Sequence, residues 1–128
     1  MDDPRLRGVV VPHPFDLDEF RLNLARQRGR PLYLHDLPAE ATALTATGGI
    51  WLPTAMDDHI FIPCDLVDVA RDRVTLRHIG HMVYEHRTVV ADGFDLLLAH
   101  GLTAYDYSAE QIAEAEAFAA HILAVANS

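Results

Sequence analysis

The densest run of reactive side chains is Leu76-Arg77-His78-Ile79-Gly80-His81-Met82-Val83-Tyr84-Glu85-His86, with three imidazoles inside nine residues. On a helix, residues four apart stand on one face, so position 77 lies over His81. His78, His81 and Glu85, with gaps of three and four, form a neighbouring stripe, and His86 follows closely. Imidazoles bind transition metals and move protons near neutral pH. Arginine does neither, because it is permanently cationic and offers donors only. Gly80 costs about 1 kcal/mol relative to Ala in a helix interior, which is explained if another backbone packs against it. The plain alternative for the whole run is a helix with solvated histidines on its polar side. A second run, Glu110-Gln111-Ile112-Ala113-Glu114-Ala115-Glu116-Ala117-Phe118-Ala119-Ala120-His121, carries carboxylates that could serve as ligands. By itself it reads equally as an amphipathic helix with an acidic outer face and Phe118, Ile122 and Leu123 in the core.

Weaker candidates lie elsewhere. Asp57-Asp58-His59 could hold a metal, although a solvated hairpin turn accounts for it more simply. Cys64 has Asp65 beside it and no adjacent base, so it reads as a buried or half-buried structural thiol. Trp51 reads as core or groove wall. No Gly-rich phosphate loop, GxSxG elbow or CxxC pair is present.

The elements that must position these residues follow from periodicity and punctuation. Residues 1–14 form an entry segment ended by Pro12-His13-Pro14, and both prolines disfavour helix just before them. Asp16 or Asp18 can cap a helix over about 16–28, which closes in Arg26, Arg28, Gly29 and Arg30, with charges that match the helix dipole. Pro31 to Leu37 alternates as a strand does, and residues 38–48 are small and polar, as in a loop. Gly49-Ile50-Trp51-Leu52 and His59-Ile60-Phe61-Ile62 are two short β-prone runs with a hairpin connection between them. Val69, Ala70, Val74, Leu76, Ile79, Met82 and Val83 predict a helix from about 66 to 86, with Asp65 or Asp68 as its cap. Phe94, Leu96, Leu97 and Leu98 make a short apolar, helix-compatible stretch. Ser108 and Gln111 form a capping box that opens a last helix reaching about Ala126. Helix, strands, helix, helix makes an α+β chain.

At 128 residues the chain suits one domain, spanning 1–128. Half the residues are apolar and 23% charged, the ordinary globular balance. The net charge of −9 repels phosphate backbones and argues against direct nucleic-acid binding. All ten basic residues are Arg, and eight residues are His. A single cysteine, no apolar run of membrane-spanning length and a polar N-terminus without a signal-peptide core predict a cytoplasmic protein with no membrane partner.

Taken in order, Gly-Ile-Trp-Leu, His-Ile-Phe-Ile, a helix reading xxxGHxxxxH and then Glu-Ala-Glu-Ala-Phe-Ala resemble the ImmA/IrrE family of small zincin-like metallopeptidases. The likeness is nearest to short actinobacterial members with a first helix followed by Gly-Arg-Pro-Leu, here Gly29-Arg30-Pro31-Leu32, and it covers roughly residues 15–124. In that family the active helix reads His-Glu-x-Gly-His. Its two histidines bind Zn²⁺, its glutamate activates the metal-bound water, and a third ligand comes from the Glu of a later Glu-Ala-x-x-Phe-Ala. The resemblance implies that His81 is the second metal histidine, Gly80 the motif glycine and Glu114 the third ligand. His86 matches a further histidine that follows the motif. It also implies a minimal zincin-like α+β domain, with a short sheet on the active-site helix, a crossing C-terminal helix, and a groove that takes an extended peptide as an added strand.

Here the first metal histidine is Arg77 and the catalytic glutamate is His78. The expectation is a catalytically silent remnant site of Arg77, His81, Glu114 and His86 with no metal, in which an Arg77–Glu114 ion pair replaces the cation. Such a chain would act as a binding or regulatory module for a protein or peptide partner. The resemblance points to a helix-turn-helix transcriptional regulator or a toxin–antitoxin system. The alternative is a zinc-dependent peptidase with relocated ligands drawn from His81, Glu114, His78 and Glu85, helped by His35, His59 or Cys64, with His78 or Glu85 as base. A third reading is a structural subunit in which the remnant only stabilises the fold.

Overall fold

Asp16 sets the start of the first helix, α1 (Leu17–Arg28), by accepting a 3.0 Å hydrogen bond from Glu19 N at its carboxylate. Asp18 and Glu19 in the first turn and Arg26 and Arg28 in the last complement the dipole. Gly29, at φ 69°, ends the helix in the left-handed conformation that glycine adopts without steric cost. Phe20 and Leu24 are its buried face. The structure, a computed structural model, describes residues 8–38, 49–86 and 107–127. The polar stretch at 39–48 and the apolar stretch around Phe94 to Leu98 lie outside the described residues.

Three strands follow: β1 (Leu32–Leu37), β2 (Ile50–Pro53) and β3 (Asp58–Pro63). The sheet order is β1-β3-β2, with β1 parallel and β2 antiparallel to β3. The β2–β3 hairpin expected from the sequence is present, and the turn between them is tied by Thr54 N donating to Asp57 O. The parallel pairing of β1 with β3 was not legible, because it depends on where the chain travels between the strands. Trp51, Ile60 and Ile62 belong to the buried face of the sheet, which packs on the second helix, α2 (Asp68–Val83). The last helix, α3 (Ala109–Ala126), packs against α2. Both halves of its capping box are made: Gln111 N donates to Ser108 Oγ, and Ser108 N donates to Gln111 Oε1. The described chain is therefore α+β, with three helices and one small mixed sheet. Among the described residues no helix is long and apolar enough to cross a membrane.

Two local expectations are corrected. Neither Asp65 nor Asp68 caps α2. The N-cap is Val67, which has no side-chain bond to give, and Asp68 itself has φ 54°. Cys64 is exposed, because it falls in the turn just past β3, where its backbone N–H reaches Leu37 O. The expectation for Gly80 is met. A Cβ there would lie 3.1 Å from Phe118 Cδ1 and 3.2 Å from the Ala115 backbone, so the glycine is what lets α3 approach α2. We expect Gly80→Val to push the helices apart and to cost about 1–3 kcal/mol in a urea unfolding titration.

Candidate functional site

The histidine cluster is built by the end of α2. Tyr84 N bonds Gly80 O, Glu85 N bonds Met82 O, and His86 N bonds His81 O, while Glu85 takes φ 54°. This is a Schellman closure, with a non-glycine residue in the left-handed position. It corrects the expectation of a helix running to 86. On a continuous helix, positions 81 and 86 would point about 140° apart; the closure instead folds His86 back over the last turn. Their Nδ1 atoms meet at 2.9 Å. His86 Nε2 in turn contacts Glu114 Oε1 on α3. Glu85 leaves the helical stripe and is exposed, so the shifted set of His78, His81 and Glu85 does not form.

The two helices meet at three points: Arg77 meets Glu116, Gly80 meets Ala115 and Phe118, and His86 meets Glu114. This arrangement overturns the expected Arg77–Glu114 pair. Arg77 pairs instead with Glu116, two residues on from Glu114, Nη1 to Oε1 at 3.6 Å. The remnant positions therefore divide. His81, His86 and Glu114 form one chain, and Arg77 stands outside it.

His81 and His78 are fully buried. Tyr107 stacks on His81, with centroids 3.6 Å apart and planes 7° from parallel, and its Oη accepts from Trp51 N at 3.3 Å. Burial holds His81 near a pKa of about 3, with the charges of His86 and Arg77 adding to it. Burial, followed by Arg77 and His81, also holds His78 well below the ordinary histidine value. Burial pushes the Tyr107 phenol up to about 12. With neutral imidazoles the hydrogen-bond chain has one consistent sense: His86 Nε2–H donates to Glu114, and His81 Nδ1–H donates to His86 Nδ1. His81 Nε2 is then a bare acceptor, and it has no hydrogen-bond partner among the described residues.

The donor set does not suit a divalent metal. His81 Nε2 supplies one lone pair. His78 Nε2 lies 2.7 Å from where a Cβ on Gly49 would stand, so its tip rests on that backbone. Glu114 is engaged by His86, and Arg77 brings positive charge. Among the described residues no group of three or more His, Cys, Asp or Glu is arranged to hold a metal ion.

The sequence reading missed Gly49 and Tyr107, whose roles arise only from packing. It also misread Asp58. Rather than lying in a solvated turn, Asp58 is 1% exposed and accepts from Arg28 Nη1 at 2.7 Å, Arg30 Nε at 3.1 Å and Trp51 Nε1 at 3.0 Å. His35 and His59, offered as spare ligands, sit on the opposite sheet face and do not join the α2 cluster. In comparisons with known proteins, no family model, no curated protein and no solved structure matches this chain.

Proposed function

We propose that this chain is a catalytically silent ImmA/IrrE-like module that binds a protein or peptide partner in the cytoplasm. The observation that carries the reading is the engagement of Glu114. The carboxylate that the resemblance assigns to a metal accepts instead from His86, while Arg77 occupies the place of the first metal histidine. A site whose Glu114 is engaged and whose first ligand position holds a guanidinium favours holding over cutting, since hydrolysis by zincins needs three ligands and a water. The sheet edge beside α2 is where an extended peptide would add as a strand. Tyr107 Oη already takes Trp51 N–H on β2, so an incoming strand must displace that hydroxyl. A helix-turn-helix regulator is the partner class that the resemblance suggests.

The test is restoration of the motif. Tag-free wild-type protein should carry no stoichiometric zinc by elemental analysis. Arg77→His with His78→Glu should gain little, because His86 still engages Glu114. Adding His86→Ala should release the carboxylate and raise zinc affinity by about 10–100-fold over the double variant. Stoichiometric zinc in the wild type, lost in His81→Ala, would overturn the proposal.

A further inference from the structure

A second histidine cluster lies on the sheet face away from α2. The register pairs Tyr33 with His59 and His35 with Phe61, so the alternation of β1 and β3 sends all four side chains to one face. His35 Nε2 and His59 Nδ1 are 2.8 Å apart, and the rings lie 19° from coplanar with centroids at 5.1 Å. His59 Nε2 contacts Asp57 Oδ1 at 2.9 Å. Phe61 stacks on His35 at 4.7 Å and Tyr33 on His59 at 5.4 Å, which limits both imidazoles to few orientations. Asp57 is itself held: Thr54 Oγ1 donates to its carboxylate, and Asp57 N donates back to Thr54 Oγ1 at 3.0 Å. That bond from Thr54 outweighs the opposing effect of burial and, with His59 and Arg30, keeps the Asp57 carboxyl below its ordinary range.

A carboxylate on one ring nitrogen fixes the histidine tautomer and leaves the other nitrogen as a lone pair. Metal-ligating histidines are oriented by this second contact. Asp57 thus leaves His59 Nδ1 as an acceptor aimed at His35 Nε2, and a metal ion can take the place of the proton between them when that proton moves to His35 Nδ1, which leaves both imidazoles neutral. We propose that His35 Nε2 and His59 Nδ1 are the protein ligands of an open site for a divalent transition-metal ion, with Asp57 orienting His59. Two protein ligands leave the remaining positions to water or to a donor from another molecule, and the face is open enough to supply them: Tyr33 is 45% exposed and the His59 side chain 27%. At metal–nitrogen distances of about 2.0–2.1 Å, tetrahedral geometry sets ligand nitrogens about 3.4 Å apart. The pair must open by about half an ångström, which side-chain rotation on a half-exposed face provides. This site is independent of the α2–α3 cluster.

The experiment is calorimetric titration of Zn²⁺ into tag-free protein, with Co²⁺ followed by visible absorption. One ion should bind, with affinity falling about tenfold or more in His35→Gln and in His59→Gln, and by about 10–100-fold in Asp57→Asn. The Asp57→Asn variant keeps both ligands, so its loss reports orientation. Circular dichroism confirms that each variant is folded. Absence of binding at millimolar metal, or binding indifferent to both histidine substitutions, would overturn the proposal. Binding abolished by Glu114→Gln but retained in His35→Gln would overturn it too, and would place the ion at the α2–α3 cluster, against the function proposed above.

Discussion

Acidification from about pH 6.5 to about pH 5 should remove several kcal/mol of the stability of this protein, before its carboxylates are half protonated. His78 and His81 are fully buried and held neutral, His78 well below the ordinary value and His81 near about 3, in both cases first by burial. In the unfolded chain each titrates near about 6.5. Below that pH the unfolded state takes up protons that the folded state refuses. The contribution is therefore complete above about 6.5 and falls by about 1.4 kcal/mol per pH unit for each group as pH drops, continuing for His81 to about 3. Two such groups together lose about 3 kcal/mol per unit, against a total of about 5–15 kcal/mol for a typical domain. Urea midpoints across this range measure the slope, and His78→Leu should roughly halve it. The same variant removes two buried ring nitrogens with no hydrogen-bond partner among the described residues, so near pH 8 it should be more stable than wild type by about 1–3 kcal/mol. A flat profile between about pH 7 and pH 5 would show that these imidazoles are not kept neutral by burial. Asp58 acts in a different window. Its carboxyl is held below the ordinary value, so its contribution is present above about 4 and fades only below that.

Asp58→Ala should be among the most damaging single substitutions in the described fold, costing about 3–5 kcal/mol and lowering Tm by on the order of 10 °C or more. Burial alone would raise the Asp58 carboxyl, but hydrogen bonds from Arg30, Arg28 and Trp51 outweigh it. The same carboxylate joins the end of α1, the start of β3 and the indole of β2. Arg30 extends the link, donating through Nη2 to Thr54 O at 2.8 Å and Asp57 O at 2.7 Å, so it also fastens the hairpin turn. Removing the acid leaves two guanidinium groups facing each other without their shared acceptor. Arg28→Ala should cost much less, because Arg30 still neutralises Asp58. Thermal melts followed by circular dichroism rank the variants, and tryptophan emission reports the lost Nε1 bond. Equal effects for Asp58→Ala and Arg28→Ala would show that the cluster is not centred on the carboxylate.

Much of the architecture could be read before any coordinates. Asp16, Gly29, Ser108 and Gln111 mark helix ends by local hydrogen bonding, and apolar spacing marks α2 and α3, because both signals act within a few residues. The sequence by itself also determined that Arg77 can donate but not coordinate and that His78 is no carboxylate, since side-chain chemistry does not depend on the fold. Tertiary structure decided what those residues do instead. Whether Glu114 meets Arg77 or His86 depends on the stagger of two helices about Gly80 and on a left-handed turn at Glu85, neither of which periodicity encodes. The meeting of His35 with His59, and the burial of Asp58 beneath two arginines, depend on a parallel register between strands separated by a third. Such long-range pairings are settled by the packing of the whole chain, where a shift of one residue would turn each of these side chains to the opposite face.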